Sequence, residues 1–299
     1  MNALPISCSV IILAWQDVDM TAECLKSLGT DAQLIVVDNG SDSDYAVQLV
    51  AECEKYNAVY VRAPHNLGYA GGMNLGLNAA KGDVVIFSNN DIVASPEAVA
   101  ALAEACFAPG VGAAFPKIVD ISGVDSTACG RFLTLGRAIA HGLGLTLNPR
   151  SKKRLESNTA DADWFSGPFV AMRRQLALAM GGIPSQSFMY SEDYRLCAAV
   201  RKLGLWPVLF TGLQVRHLDD ASALKRWTSD EVAGLQTREL VVAAADQQPT
   251  IFRGRMLALS FVFGTWWRYR VRPTSLRRAI FTGARDGSAK FGRAATEVG

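Results

Sequence analysis

The sequence predicts an α/β fold with a mainly parallel central sheet and a helical C-terminal extension. Residues 34–37 and 84–87 are continuous apolar runs of strand length, which is typical of strands that helices cover on both faces. Strand-like and helix-like segments alternate as far as about residue 120, as in successive βαβ units with right-handed crossovers. Helical patterning dominates again near the C-terminal end of the chain.

Each predicted element follows from its local composition. Strands are predicted at short apolar or β-branched runs, at residues 7–14, 33–37, 58–61, 84–87 and 205–210. Helices are predicted where apolar residues recur at helical spacing, at residues 21–28, 45–56, 67–80, 192–203 and 229–245. A further helix begins at Ser95-Pro96-Glu97, which supplies a cap residue, a proline at the first position and an acid in the first turn.

The middle of the chain follows a different pattern. Residues 121–163 are rich in Gly and Ser, which favours irregular hairpins and loops over a helix. Regular structure is predicted again at residues 164–172, followed by a helix that ends near Gly181-Gly182.

Charge is distributed unevenly along the 299 residues, although the net charge is only +2. Residues 250–299 contain ten Lys or Arg against two acids, whereas residues 1–249 contain twenty against twenty-six. An acidic body with a basic tail predicts an anionic surface as the partner of the tail, either membrane or nucleic acid.

The cysteines favour a reducing compartment. None of the six lies in a C-x-x-C pair and most lie in apolar runs, so we expect buried thiols and no zinc site. The N-terminal residues carry no basic segment, and the apolar run at 8–15 is too short for a signal or a bilayer span. We therefore expect a cytoplasmic protein.

Carboxylates follow two of the predicted strands. Asp38 ends the run at 34–37, and Asp91 follows the run at 84–87. Ligands of open α/β sheets bind beyond the carboxyl ends of such strands. Because Glu192-Asp193 adds two acids at the start of a helix, we expect a site for a phosphorylated ligand, a cation and a proton.

Five segments in order resemble the motifs of family-2 inverting glycosyltransferases, most closely a bacterial rhamnosyltransferase-like branch. They are Ser9-Val-Ile-Ile12, Val37-Asp-Asn-Gly-Ser41, Asn66-Leu-Gly-Tyr-Ala-Gly-Gly-Met-Asn74, Ser88-Asn-Asn-Asp91 and Met189-Tyr-Ser-Glu-Asp193. The resemblance covers residues 7 to about 218. It implies a nucleotide-diphospho-sugar transferase (GT-A, Rossmann-like) fold with a mixed, mainly parallel sheet.

The same resemblance implies a domain division. Residues 1–222 would form the catalytic domain, with a nucleotide-sugar-binding half to about residue 120 and an acceptor half beyond it. Residues 223–299 would form a basic, helical extension.

The resemblance implies that Asp38 accepts the imide N–H of a uracil or thymine base; the alternative is a helix cap or turn former. Ala14 and Trp15 end the first strand, where the base would lie. Trp15 would stack on the base, or else be a core aromatic.

Residues 66–74 match the family segment that faces the ribose and diphosphate. Gly68 and Gly72 would let backbone N–H groups approach a pyrophosphate at a helix N-terminus, and Asn66 and Asn74 match polar donor-facing positions. The alternative is an ordinary glycine-rich turn.

Asn89, Asn90 and Asp91 occupy the position of the family's acidic metal motif, with Asn in place of the first acid. The resemblance implies that Asp91 holds Mg²⁺ or Mn²⁺ together with the donor diphosphate. An Asx-turn is the alternative, chiefly for Asn90. His217 matches a second metal ligand, or is a structural histidine.

Asp193 matches the general base that deprotonates the acceptor hydroxyl, with Glu192 beside it. The alternative is that both are helix-start acids, which are common because they interact favourably with the helix dipole. Trp164 and Gly167 match the segment that faces the acceptor.

The apolar, aromatic segment 256–267 is flanked by arginines and is too short to span a bilayer. It predicts an interfacial membrane anchor, or a helix packed on the catalytic domain or across a homodimer interface. No nucleic-acid-binding fold accompanies the charge, so we expect no nucleic-acid partner.

The resemblance thus implies inverting transfer of a sugar, with L-rhamnose from dTDP-rhamnose as the expected donor, to a lipid-linked or cell-surface polysaccharide at the inner membrane face. A transferase for UDP-galactose or UDP-glucose, or a non-catalytic nucleotide-sugar-binding protein of this fold, is the alternative. A nucleotidyltransferase is disfavoured because residues 14–17 form no basic glycine-rich loop.

Overall fold

The computed structural model describes residues 6–29, 31–142, 150–151, 162–186, 189–218, 228–271 and 273–297. The chain divides into two compact units, one formed by residues 1–128 and 152–219 and the other by 129–151 and 220–299. Residues 129–151 thus group with the second unit, whereas the sequence assigns them to the acceptor half of the first. The proposed functional halves stay a prediction.

The first unit is an α/β structure around an eight-stranded sheet. The eight strands of this sheet are β1 (Cys8–Ala14), β2 (Gln33–Asp38), β3 (Val59–Arg62), β4 (Val84–Asn89), β5 (Ile92–Val93), β6 (Val111–Val119), β10 (Phe169–Arg173) and β11 (Trp206–His217). The unit also contains the short strand β9 (Trp164–Phe165), which lies outside this sheet. Its helices are α1 (Val18–Leu28), α2 (Ser43–Lys55), α3 (Gly68–Leu77), α4 (Pro96–Ala105), α6 (Arg174–Ala179) and α7 (Glu192–Lys202).

The strand order is β3-β2-β1-β4-β10-β6-β11-β5. The first four strands are parallel, β10 runs antiparallel between β4 and β6, and β5 runs antiparallel to β11. The sheet is therefore mixed and mainly parallel, which confirms the predicted fold class. Buried side chains line both faces of the central strands, as the continuous apolar runs predict.

Parallel register brings separate turns to one edge of this sheet. Ala14 of β1 pairs with Asp38 of β2, and Leu13 pairs with Asn89 of β4. The carboxyl ends of three strands therefore coincide. At the far edge of the sheet, β5 pairs with β11 so that His217 lies opposite Ile92, the residue after Asp91.

Helix α3 lies close against this sheet because it is rich in glycine. A Cβ on Gly72 would collide with Leu13, and one on Gly76 would collide with Ile11 and lie 2.8 Å from a methyl of Val37. Overpacking of this kind is destabilising. These two glycines therefore serve the contact between helix and sheet.

The second unit contains β7 (Cys129–Gly130), β8 (Arg150–Ser151), α5 (Leu135–Gly142), α8 (Ser229–Asp246), α9 (Ile251–Val271) and α10 (Ser275–Glu297). Thr228 and Glu231 form a reciprocal capping box at the start of α8. Buried Glu239 of α8 lies 3.0 Å from Lys290 of α10, which joins the two helices. Among the described helices, none combines the length and the apolar character that crossing a membrane requires.

Two predictions from local pattern are wrong. Helix α5 forms within the region predicted to be irregular; Thr134 caps its first turn and Ala138 is fully buried, so tertiary packing overrides the glycine content. Strand β11 continues to His217 instead of ending at residue 210, through a register shift between Phe210 and Gln214.

Candidate active site

The carboxylate of Asp38 is completely buried at the carboxyl end of β2. Its Oδ1 accepts the backbone N–H of Ser41 at 2.8 Å. Its Oδ2 accepts the Tyr60 hydroxyl at 2.6 Å and the Arg62 guanidinium at 2.9 Å. Since a carboxylate has about four acceptor positions, three are occupied within the protein. Asp38 thus organises the turn after β2 and the end of β3.

Tyr60 and Arg62 were not identified from the sequence as site residues. Burial and the hydrogen bond to Asp38 raise the pKa of the Tyr60 hydroxyl, and the hydrogen bond to Tyr60 and the charge of Asp38 raise the pKa of Arg62. Arg62 also donates to the carbonyl oxygen of Ser41 at 2.8 Å. The sequence did contain one indication of this role, because Arg62 is a cationic residue at the carboxyl end of the third parallel strand.

Trp15 follows β1 at the same edge of the sheet. The residue is 37% exposed, so it is not a core aromatic. The neighbouring turn is fixed by a hydrogen bond from the backbone N–H of Gln16 to Ser41 Oγ and by one from the backbone N–H of Asn39 to the Ala14 carbonyl. An exposed indole on a fixed turn offers a surface on which a planar ring can stack.

Asn39 ties the turn after β2 to the glycine-rich segment. Its buried amide donates to Asn66 Oδ1 at 3.1 Å and to the Gly68 carbonyl at 3.2 Å, and accepts the Leu67 N–H at 2.9 Å. Asn66 Oδ1 also accepts the Gly68 N–H at 2.9 Å. Two backbone N–H groups at the start of α3 therefore already have partners, so a diphosphate would have to accept hydrogen bonds from other donors.

Asn74 has a structural role in this arrangement. Its amide nitrogen donates to the Ile183 carbonyl at 2.9 Å, and its amide oxygen accepts the Ile183 N–H at 2.8 Å. These two bonds use one N–H and one oxygen lone pair of the amide. Asn74 therefore fastens α3 to the turn at Gly182-Ile183, and its contact with the donor stays a prediction.

Asn89, Asn90 and Asp91 follow β4 but differ in their surroundings. Asn89 is partly exposed at the strand end, and its backbone N–H donates to the Pro168 carbonyl. Buried Asn90 donates to Thr21 Oγ1 at 3.1 Å. That bond anchors the turn to α1, and it is a long-range contact instead of the predicted Asx-turn.

Asp91 and His217 meet although 126 positions separate them in the chain. His217 Nε2 lies 3.1 Å from Asp91 Oδ1, a buried atom that accepts no hydrogen bond from the residues described. Two cis ligands, each about 2.1 Å from an octahedral cation, are about 3.0 Å apart, so this spacing fits Mg²⁺ or Mn²⁺. Within the described chain, no three ligating side chains form a metal-holding group. The remaining ligands would have to be water or a bound diphosphate.

Tyr69 lies in the first turn of α3 and was not singled out from the sequence. Its hydroxyl donates to the Gly167 carbonyl at 3.2 Å. Burial raises the pKa of this hydroxyl, and the charges of Glu192, Asp193 and Asp91 raise it further. Carboxylates from two segments, at Asp91 and at the start of α7, therefore lie within electrostatic range of this phenol.

The two acids at the start of α7, Glu192 and Asp193, differ in their exposure to solvent. Tyr190 and Ser191 adopt left-handed backbone angles, with φ of 74° and 69°, which is an uncommon and strained conformation for non-glycine residues. Glu192 is buried, whereas Asp193 is partly exposed and its Oδ1 accepts the Tyr194 N–H at 2.8 Å. Asp193 is thus the more accessible of the two carboxylates.

Trp164 is buried and packs against Tyr194 of α7, with ring centroids 6.3 Å apart. Its indole N–H makes no hydrogen bond to the residues that the structure describes. Gly167 lies between Trp164 and β10 and reaches Tyr69 through its carbonyl. The predicted acceptor-facing segment is therefore connected to both the glycine-rich segment and α7.

Comparisons with known proteins agree with this architecture. The sequence profile of "Glycosyl transferase family 2" matches residues 9–177. An uncharacterized glycosyltransferase, YfnE, of Bacillus subtilis (strain 168) is 32% identical over 97 residues, which are 31% of this chain and 25% of YfnE. The matched segment is thus a quarter of that relative's length.

Solved structures show the same fold at low identity. Mannosyltransferase PcManGT from Pyrobaculum calidifontis, solved with GDP-Man and Mn²⁺, aligns over 99% of this chain and 76% of its own at 14% identity, with a TM-score of 0.58. GalNAc-T7, solved with UDP, GalNAc and Mn²⁺, aligns over 72% of this chain and 43% of its own at 15% identity, with a TM-score of 0.57. S. aureus TarS 1-349 aligns over 89% of this chain and 74% of its own at 16% identity, with a TM-score of 0.52.

We expect Tyr69→Phe to lower the free energy of unfolding by about 1 kcal/mol, because it removes one hydrogen bond and leaves the Gly167 carbonyl unsatisfied. Chemical denaturation measures the change. Tyr45→Phe is the matched control, since Tyr45 is exposed and its hydroxyl makes no hydrogen bond to a described residue; its effect should stay within about 0.5 kcal/mol. Equal stability of both variants would contradict the role given to the Tyr69 hydroxyl.

Proposed function

The protein belongs to glycosyl transferase family 2, because the profile match covers more than half of its residues, and we propose that it transfers L-rhamnose from dTDP-rhamnose. The acceptor would be a lipid-linked or cell-surface polysaccharide at the cytoplasmic face of a membrane. The observation that carries the proposal is the 3.1 Å approach of His217 Nε2 to Asp91 Oδ1, just beyond the edge of the sheet where β1, β2 and β4 end together.

The donor would lie along the turns at this edge. We propose that exposed Trp15 stacks on the base, beside Ala14, and that Asp38 acts by holding Arg62 and the Ser41 turn in place. Direct contact of Asp38 with the base is limited to the remaining acceptor position of Oδ1. Asn89 is the other partly exposed polar side chain that we place beside the donor.

The glycine-rich segment would form the floor of the diphosphate site. Gly68 has a φ of +73°, which favours glycine, and it keeps the backbone at the start of α3 close to Asn39 and Asn66. Gly72 brings α3 against the sheet, and Asn90 holds the turn that carries Asp91. The helix N-terminus would favour the negative charge of the diphosphate.

Asp91 and His217 would hold a divalent cation, Mg²⁺ or Mn²⁺, whose other ligands the donor supplies. When bound, the cation neutralises charge on the leaving nucleotide diphosphate. PcManGT was solved with GDP-Man and Mn²⁺, and GalNAc-T7 with UDP, GalNAc and Mn²⁺, which supports a divalent cation here.

We propose a single displacement with inversion. The acceptor oxygen forms a bond to the anomeric carbon while the bond from that carbon to the diphosphate oxygen breaks. The acceptor hydroxyl proton passes to the Asp193 carboxylate, and the nucleotide diphosphate leaves with the bonding electron pair. Buried Glu192 and Trp164 would position Asp193 and the acceptor segment containing Gly167.

The donor should be identifiable by ligand-induced stabilisation. We expect dTDP-rhamnose with Mn²⁺ to raise the thermal unfolding midpoint more than UDP-glucose, UDP-galactose or GDP-mannose does; a ligand at a hundred times its Kd contributes about 2.7 kcal/mol. Each nucleotide sugar is paired with its free nucleoside diphosphate to separate recognition of the sugar from that of the base. A larger shift with a UDP-hexose would replace rhamnose by that hexose, and no shift with any donor would contradict the function.

Nucleotide binding should depend on the cation and on Asp91. By isothermal titration with dTDP, we expect Asp91→Asn or chelation of the metal to weaken affinity on the order of tenfold or more, because the charge that holds the cation is lost. Asp44→Asn in α2 is the control, since it removes an exposed acid elsewhere. Wild-type affinity in the presence of EDTA would exclude the metal role.

Asp193 should be needed for transfer and not for donor binding. We expect Asp193→Asn to lower the transfer rate by ~10²–10⁴-fold, because the amide cannot take the proton, while nucleotide affinity changes little. Glu192→Gln is the matched comparison and should cost far less. A folded Asp193→Asn variant with wild-type turnover would remove Asp193 from the mechanism and make Glu192 the next candidate for the base.

A further inference from the structure

Helix α9 is apolar on two opposite faces. One face is buried and consists of Gly254, Leu257, Ala258, Phe261, Gly264 and Thr265. This face contacts α5, α8 and α10 of its own unit. The packing of the helix against the described elements of the unit leaves its second apolar face exposed.

The second face forms a continuous exposed stripe. Its members and their exposed fractions are Phe252 72%, Met256 40%, Leu259 57%, Phe263 59%, Trp266 37% and Trp267 53%. Steps of three and four residues keep these side chains on one side of an α-helix. At 1.5 Å per residue, the stripe is about 22 Å long. A contiguous apolar surface of this kind on a soluble protein marks an interaction site.

Basic residues frame the stripe. At 100° per residue, Arg253 and Arg255 lie on its two sides, and Arg270 lies at its C-terminal end. All three are exposed. Residues 251–271 contain four arginines and no Asp or Glu. The exposed apolar centre is therefore flanked by charged residues of one sign only.

We propose that the outer face of α9 inserts into the headgroup region of an anionic bilayer, with the helix axis parallel to the membrane surface. This inference rests on the proposed function, because the membrane surface would bring the enzyme to a lipid-linked acceptor. Arginines pair with anionic headgroups, the apolar stripe enters the acyl boundary, and Trp266 and Trp267 lie at the level of the headgroups.

Charge argues against a second copy of the chain as the occupant. Two α9 stripes facing each other would bring arginine borders together, with no carboxylate on either helix to pair with them. Nucleic acid would match the charge but not the apolar stripe, because its outer surface is a phosphate backbone. A bilayer with anionic lipid satisfies both features.

Vesicle flotation of the full chain tests the proposal, with phosphatidylcholine vesicles that contain or lack phosphatidylglycerol. We expect the protein to bind the anionic vesicles. The double variant Leu259→Glu, Phe263→Glu should partition into these vesicles roughly a hundredfold more weakly, because two large apolar side chains no longer insert. Val47→Glu with Ile121→Glu is the matched control, since these residues are 70% and 71% exposed and lie outside α9. The control variant should float like the wild type.

Two further variants separate insertion from surface adsorption. Arg253→Gln with Arg255→Gln should weaken binding at low salt by about fivefold for each charge removed. Brominated lipids should quench the fluorescence of the native chain, and Trp266→Phe with Trp267→Phe should abolish most of that quenching. This fluorescence measurement uses folded native protein, so it decides the question even if a glutamate variant does not fold.

Different experimental outcomes would contradict different parts of the proposal. Absence of flotation, equal flotation of the α9 and control variants, or unquenched tryptophans would overturn the proposal. A dimer in light scattering that the α9 glutamate variant disrupts would assign this face to a second copy instead. Thermal stabilisation by the sugar donor can be measured on the same variants without lipid. If the donor still stabilises a protein that does not float, only the membrane surface is refuted. If the donor stabilises none of the variants that float, only the transferase function is refuted.

Discussion

Parallel pairing of β1 with β2 and β4 is the constraint on which the site depends. Because parallel strands end on the same edge of a sheet, this register brings Ala14, Asp38 and Asn89 together from three segments that are separate in sequence. Helix α3 can only lie against these strands because Gly72 and Gly76 leave room for Leu13 and Ile11. Replacing that register by any other would separate the groups that form the candidate active site.

Polar side chains at this edge are largely used by the protein itself. Asp38 holds Ser41, Tyr60 and Arg62, and Asn39 holds the segment from Asn66 to Gly68. A buried polar group without a partner costs about 1–3 kcal/mol, so such networks fix the turns in one arrangement. Preorganised turns are what a nucleotide site needs, because little further ordering then opposes binding.

The second unit is held together by close packing of helices and by a buried ion pair. Its helices approach closely through glycines, as where Gly283 of α10 lies against the Gly234 backbone of α8, and one buried acid, Glu239, is held by Lys290 and Arg238. This unit also carries most of the basic excess of residues 250–299 and an exposed apolar stripe on α9. Charge and exposed apolar surface on one helix are the combination that favours anionic interfaces.

The sequence by itself determined the fold class, because buried parallel strands require continuous apolar runs and their helices require caps such as Ser95-Pro96. It also located Asp38 and Asp91, since acids directly after apolar strands are conspicuous. Only the tertiary structure decided which groups meet. The 3.1 Å approach of His217 to Asp91 depends on the pairing of β5 with a strand that continues through a register shift. The hydrogen bond from Tyr69 to the Gly167 carbonyl joins residues that are 98 positions apart. Local composition carries no information about such pairings, because long-range register is fixed by the packing of the whole sheet.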